Sequence, residues 1–213
     1  MNMQIVDLTQ TISPGMPVYP GTEPPVFSSG CSLEVDGFVE KQLTLFSHTG
    51  THMDAPAHLL AGGRTLDQYP AAQFVGLACC MDLSRLGQPV IEVADLEPWR
   101  PLLKQVEFCL LRTGWSRYWG HDRYFSGFPV LSAAAAEWLC QFGLKGIGFD
   151  AISADPVESP ELPVHRILLG SGLVLIENLC NLEQLPAGPW LLSCLPLKLI
   201  EADGAPVRAV AIL

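Results

Sequence analysis

The sequence predicts an α/β fold built on a mixed sheet. Two patterns carry that prediction. Short apolar runs at 74–83, 106–112, 146–150 and 173–177 read as buried strands, and a helical pattern at 133–142 falls between the second and third. The composition supports a large core, with 49% of residues hydrophobic and 16% charged. The 213 residues suit a single domain spanning 1–213.

The elements follow in chain order. Residues 4–8, Gln-Ile-Val-Asp-Leu, read as a first strand. Residues 13–25 are so rich in Pro and Gly that they form neither helix nor central strand. Such a strap is either structural or the wall of a binding site, and Tyr19 is its one aromatic. Residues 31–47 alternate imperfectly between polar and apolar, as a hairpin turning at Asp36-Gly37 would. A turn at 62–67 leads to the buried strand at 74–83. Residues 93–97 suggest a short helix ending near Pro98. The strand at 106–112 ends at Thr113-Gly114-Trp115, where an α/β sheet presents side chains to a ligand. Aromatics then crowd 115–128, either as a lid over a pocket or as a packed surface loop.

Ser132 caps the helix at 133–142 and Gly143 closes it. Residues 146–150 make a strand running into a turn, and 152–166 an acidic, proline-rich loop. A helix is expected around 165–169, broken by Gly170 and Gly172. The strand at 173–177 ends on Glu177 after four apolar residues. A carboxylate there needs a partner, a metal ion or an arginine. Residues 181–185 form a turn. The final strands, 191–199 and 207–213, are joined at Asp203-Gly204.

The chemistry concentrates in one stretch. His48, His52, Asp54 and His58 fall within eleven residues of a chain that has five histidines. Imidazole and carboxylate are the usual ligands of zinc and similar divalent ions. Gly50 and Pro56 disfavour a helix here, so the stretch is expected to be a turn or irregular loop in which both imidazoles converge on one ion. Thr49 follows His48 where a zincin carries glutamate, which argues against a metalloprotease.

The net charge of -10, with no basic run, argues against nucleic acid or an anionic membrane as partner. The low charged fraction fits a surface covered by a second copy. Seven cysteines, an odd count without a CxxC, read as small buried hydrophobes in a reducing cytosol. No basic segment followed by an apolar run opens the chain, and no apolar run approaches 18 residues, so neither signal peptide nor membrane span is expected.

The stretch His48-x-Gly50-Thr51-His52-x-Asp54-x-Pro56-x-His58 resembles the HxGTHxDxPxH signature of the cyclase-like metal-dependent hydrolases, a family that includes bacterial kynurenine formamidases and isatin hydrolases. The resemblance extends over Asp7-Leu8-Thr9, Tyr19-Pro20-Gly21, Arg112 to Trp115, Gly148-Phe149-Asp150, Ser153-x-Asp155, His165-Arg166 and Glu177-Asn178-Leu179. It implies a swivelling β/β/α architecture, with a barrel-like mixed sheet flanked by helices, and a dimer or tetramer. It implies that His48, His52 and Asp54 bind a first divalent ion, with Asp54 bridging to a second held by His165 and Glu177. His58 is then the acid/base, and Tyr19 faces the substrate where the formamidases carry Trp. Zinc is the expected ion and manganese is compatible. His121 is left without a role.

These implications favour hydrolysis of an aryl formamide such as N-formylkynurenine, in tryptophan catabolism, by a metal-activated hydroxide with His58 moving the proton. A second expectation keeps the ions and changes the substrate to a cyclic amide, a lactone or a cyclisation. A third is a metal-binding module without catalysis.

Overall fold

The computed structural model of the chain describes residues 3–213. β1 (Ile5–Asp7) leads into the proline-rich strap, and the strap into a hairpin of β2 (Val26–Cys31), α1 (Leu33–Asp36) and β3 (Glu40–Thr44). The hairpin starts earlier than the expected residue 31, with Val26 opposite Thr44. Pro24 and Pro25 cannot donate to a ladder, and pairing begins at the next residue. Asp36-Gly37 is not a tight turn; Gly37, at φ 78°, closes the one-turn helix α1.

The histidine stretch also differs from expectation. His52–Asp54 is a strand, β4, buried throughout, and Pro56–His58 is a single 3-10 turn. Hydrogen bonding to strands on both sides overrides the local glycine signal. The glycine acts just before the strand, where Gly50 at φ 66° turns the chain into it.

β5 (Val75–Asp82) fills the run at 74–83. β6 (Val90–Ile91) comes next, then α2 (Val93–Leu96) and α3 (Arg100–Leu103), separated by a 3-10 turn containing Pro98. β7 (Phe108–Arg112) precedes β8 (Val130–Leu131), which pairs in parallel with β6; two residues each are too few to show a period in sequence. In α4 (Ala133–Leu139) the Ser132 hydroxyl accepts the Ala135 N–H, and a 3-10 turn runs on to Gly143 at φ 67°.

β9 (Gly146–Phe149), α5 (Pro163–Gly170) and β10 (Val174–Glu177) follow. α5 starts two residues before the expected 165 because Pro163 suits a first helical position. β11 (Trp190–Ser193) stops well short of 199. Gly204 is not part of a turn but opens β12 (Gly204–Pro206), and β13 (Val210–Ile212) ends the chain.

Nine strands form one mixed sheet in the order β1-β13-β11-β5-β7-β9-β10-β4-β12. The central four, β5, β7, β9 and β10, run parallel, and antiparallel strands extend both flanks. Alternate residues feed two cores. Ala78, Cys80, Phe108, Leu110 and Ile176 share one core with Val6 of β1 and Ala205 of β12. Strands from opposite ends of the sheet thus meet, which curls it into the barrel-like form expected. Cys79, Met81, Cys109, Leu111 and Leu175 face the other core, closed by Leu96, Leu103, Leu139 and Leu168 of the helices. Cys79, Cys80, Cys109 and Cys194 are buried and all seven cysteines are unbridged. Among the described residues no helix is long and apolar enough to cross a membrane.

Candidate active site

The site forms where β4, β10 and α5 meet. The strand period of two sends Met53 into the first core and His52 and Asp54 to the opposite face. In the antiparallel register Glu177 of β10 lies directly opposite His52, so three polar side chains share one patch. α5 covers this face and supplies His165. His52, Asp54, His165 and Glu177 are all buried.

The hydrogen bonds define what each group can do. His52 Nδ1 is 2.9 Å from the Gly50 carbonyl oxygen, which can only accept, so Nδ1 carries the proton. In the neutral ring Nε2 is then a bare lone pair. It faces Asp54 Oδ1 at 3.2 Å and Glu177 Oε2 at 3.5 Å. His165 repeats the arrangement: Nδ1 donates to Asp155 Oδ2 at 2.7 Å, and Nε2 faces Glu177 Oε1 at 3.1 Å and Asp54 Oδ2 at 3.7 Å. Asp155 also accepts the Val164 and His165 N–H groups at the start of α5. Glu177 Oε1 accepts the Ala154 N–H at 2.9 Å.

Asp54 is the hub. Its Oδ1 is 2.8 Å from His48 Nδ1, while its Oδ2 is buried with no hydrogen-bond partner. Burial pushes the Asp54 carboxyl up, but His48 and His52 outweigh it and hold the group well below the usual carboxylate range. His48 stacks over Gly204, where a Cβ would meet the ring at 2.6 Å, so only glycine leaves it room. Burial disfavours the charge on His48, yet Asp54 and Asp203 raise its pKa to about 9. His165, against the same burial, is raised to about 10 by Asp155 and Glu177.

These groups fit divalent cations. Three ligand sets each have donor atoms within 4.8 Å of one another: His48/His52/Asp54 and Asp54/His165/Glu177, which share Asp54 and are buried but for the half-buried His48, and the half-buried His48/His58/Asp203. Buried carboxylates, imidazole nitrogens and an orphaned carboxylate oxygen aimed at one gap call for positive charge.

His58 stands beside this cluster on the turn after Pro56, its ring centroid 4.1 Å from that of His48. Burial depresses its pKa below the ordinary 6.5, partly opposed by the charge of Asp54. Above the polar floor is a cavity of about 300 Å³ walled by Tyr19, Leu59, Ile152 and Leu162. The strap is therefore a wall of this cavity, and the Tyr19 hydroxyl is pinned at 3.3 Å from the Val157 carbonyl oxygen.

Not every expectation holds. Among the described residues none of 115–128 lines the cavity. Trp115, Tyr124 and Phe128 form a packed cluster with Ile152, and Tyr19 rests against it, so the loop backs the wall and is no lid. The Tyr124 hydroxyl donates to Asn178 Oδ1 at 2.7 Å, and Asn178 Nδ2 donates to the Gly50 carbonyl at 2.9 Å, bracing the backbone beneath His52. His121 is exposed and outside the cavity. Asp203, read from sequence as part of a turn, contacts His48 Nε2 at 2.9 Å and His58 Nδ1 at 3.4 Å. Asp155 and Asn178 stand in matched blocks of the sequence but carry no signal of their own.

Residues 6–156 match the family described as "Putative cyclase". The chain is 34% identical to a kynurenine formamidase of Bacillus cytotoxicus over 206 residues, covering 96% of this chain and 95% of that protein. It is 32% identical to a kynurenine formamidase of Erythrobacter litoralis over 97% of this chain and 93% of that protein. Isatin hydrolase A from Ralstonia solanacearum superposes with a TM-score of 0.87 at 27% identity, over 99% of this chain and 92% of that one.

Proposed function

As a member of the cyclase family, the chain is a metal-dependent amide hydrolase, and we propose that it cleaves a small aryl formamide such as N-formylkynurenine. His48, His52 and Asp54 would hold one divalent ion, and His165 and Glu177 a second, with Asp54 shared. Zinc is the ion we assign, with manganese compatible. Such an ion, when bound, lowers the pKa of a water to about 7 and polarises a carbonyl. The observation that carries the reading is the orphaned oxygen of Asp54, aimed at His165 while its other oxygen faces His48 and His52.

The chain's own residues supply the rest. Leu59, Ile152 and Leu162 exclude water around the scissile amide, and Tyr19 offers an aromatic face to the substrate ring. His58, neutral at pH 7 because of its depressed pKa, takes a proton from the attacking water and returns it to the leaving nitrogen. Asp203 accepts from His58 Nδ1, which leaves Nε2 as the basic atom. We place the enzyme in the cytoplasm, in tryptophan catabolism, as a dimer or tetramer.

A second reading, hydrolysis of a cyclic amide, is favoured by the isatin hydrolase superposition. A panel of N-formylkynurenine, isatin and simple lactones separates the two. N-formylkynurenine is expected to have the highest kcat/KM; a higher value for isatin would assign the second reading.

A further inference from the structure

Ser153, Ala154 and Asp155 follow the carboxyl end of β9, the edge at which a parallel sheet presents groups to a ligand. Two of the three have their site partners. The Ala154 N–H donates to Glu177 Oε1 at 2.9 Å, and Asp155 Oδ2 accepts from His165 Nδ1 at 2.7 Å. Ser153 Oγ accepts the Asp155 N–H at 3.2 Å, which uses a lone pair and leaves the hydroxyl proton unspent. Ser153 is 3% exposed and lines the active-site cavity, and among the described residues its hydroxyl donates to no acceptor. The other hydroxyls lining the cavity differ. Tyr19 donates to the Val157 carbonyl, and Thr22 is only half-buried, so water can reach it. A hydroxyl shut away from water with its proton unpaired is costly until something accepts it.

We infer that Ser153 is a catalytic residue whose hydroxyl donates to the carbonyl oxygen of the scissile amide. An unpaired donor calls for an acceptor. The amide nitrogen shares its lone pair with the carbonyl, so the oxygen is the strong acceptor that the reacting group offers. The aryl part of the substrate meets the apolar walls of Tyr19, Leu59, Ile152 and Leu162. Ser153 instead adjoins the residue that binds Glu177, on the polar floor where the amide must lie.

The donor acts where charge develops. As water bonds to the carbonyl carbon and gives a proton to His58, the C=O electron pair moves onto the oxygen. When the pair returns, the C–N bond breaks and the leaving nitrogen takes that proton. The oxygen is most negative between these events, so a donor to it favours the transition state over bound substrate. The hydroxyl is also held in place beforehand. Asp155 accepts the Val164 and His165 N–H groups of α5, and the Asn178 N–H donates to the Ala151 carbonyl at 3.0 Å, so the loop is fastened on both sides. The inference rests on the amide-hydrolase reading and holds for a formamide or a cyclic amide alike.

Steady-state kinetics on metal-loaded enzyme test it, with N-formylkynurenine or isatin, whichever the wild type cleaves faster. Ser153→Ala should lower kcat about 10- to 100-fold, the worth of one neutral donor to a developing charge. KM should change less than about twofold, with metal content and circular dichroism as in the wild type. Ser153→Thr, which keeps the hydroxyl, should retain most of kcat. If Ser153→Ala loses its fold or its metal, a pair of equal shape decides, with Ser153→Thr expected to exceed Ser153→Val in kcat by about tenfold or more. An unchanged kcat in Ser153→Ala, a loss confined to KM, or equal rates for Ser153→Thr and Ser153→Val would overturn the inference and leave the hydrolase reading standing. A metal-loaded wild type that cleaves neither substrate would overturn both.

Discussion

Asp203 Oδ2 lies 3.4 Å from His58 Nδ1, joining residues 145 positions apart in sequence. The contact orients the imidazole that we propose moves the proton. Asp203→Asn should lower kcat about 10- to 100-fold, the usual cost of losing a carboxylate behind a working histidine. Combined with His58→Ala it should add little further loss, since both changes remove one function. The carboxylate also raises the His58 pKa against burial. The rate of the wild type should therefore fall as pH drops through a value below 6.5, and that limb should move lower still in Asp203→Asn.

His58→Ala should cost about 10² to 10⁴ in turnover, the range of general acid–base help. Metal content, measured by elemental analysis, should stay at the wild-type level because His58 is outside both ligand sets that share Asp54.

Ion binding should release protons. With His48 at about 9 and His165 at about 10, both rings are protonated at pH 7 in the metal-free protein, and a ligand nitrogen must be bare. Calorimetry in two buffers of different ionisation enthalpy reads the release. The same shifts fix the stability of the stripped protein. A histidine with a raised folded pKa stabilises fully below its unfolded value of about 6.5 and loses that contribution as pH rises through the folded value. The stripped protein should therefore melt at progressively lower temperature from pH 6.5 to 10, and the difference between loaded and stripped protein should widen.

Tyr19→Ala should raise KM for an aryl substrate by about 2- to 10-fold, the worth of one aromatic contact of roughly 0.5–1.5 kcal/mol. Tyr19→Phe, which removes only the bond to Val157, should change KM less.

Tyr124→Phe should destabilise the fold by about 1–3 kcal/mol, because it leaves the buried Asn178 Oδ1 without its donor. Thermal unfolding monitored by circular dichroism checks the shift.

These residues also show what the sequence could and could not disclose. β5 and β7 were legible because both faces are buried, which writes a continuous apolar run. β4 was not, since His-Met-Asp has no strand signature; it becomes one by pairing with β10 and β12. The histidine spacing singled out the loop of the proposed metal site, and the isolated Glu177 lies beside it although far along the chain. Asp203 stayed hidden because it reads as an ordinary Asp-Gly turn, and only the pairing of β12 with β4 brings it to His58. The aromatics at 115–128 were visible, but composition cannot tell a lid from the backing of a wall.

The central claim is that ions held between His48 and Glu177 drive amide hydrolysis. It is tested most directly by stripping the protein with a chelator and titrating zinc or manganese back while following N-formylkynurenine hydrolysis. The account predicts a rate near zero in the stripped protein that returns with added ion and saturates at one or two ions per chain. A rate that survives complete removal of metal would contradict it.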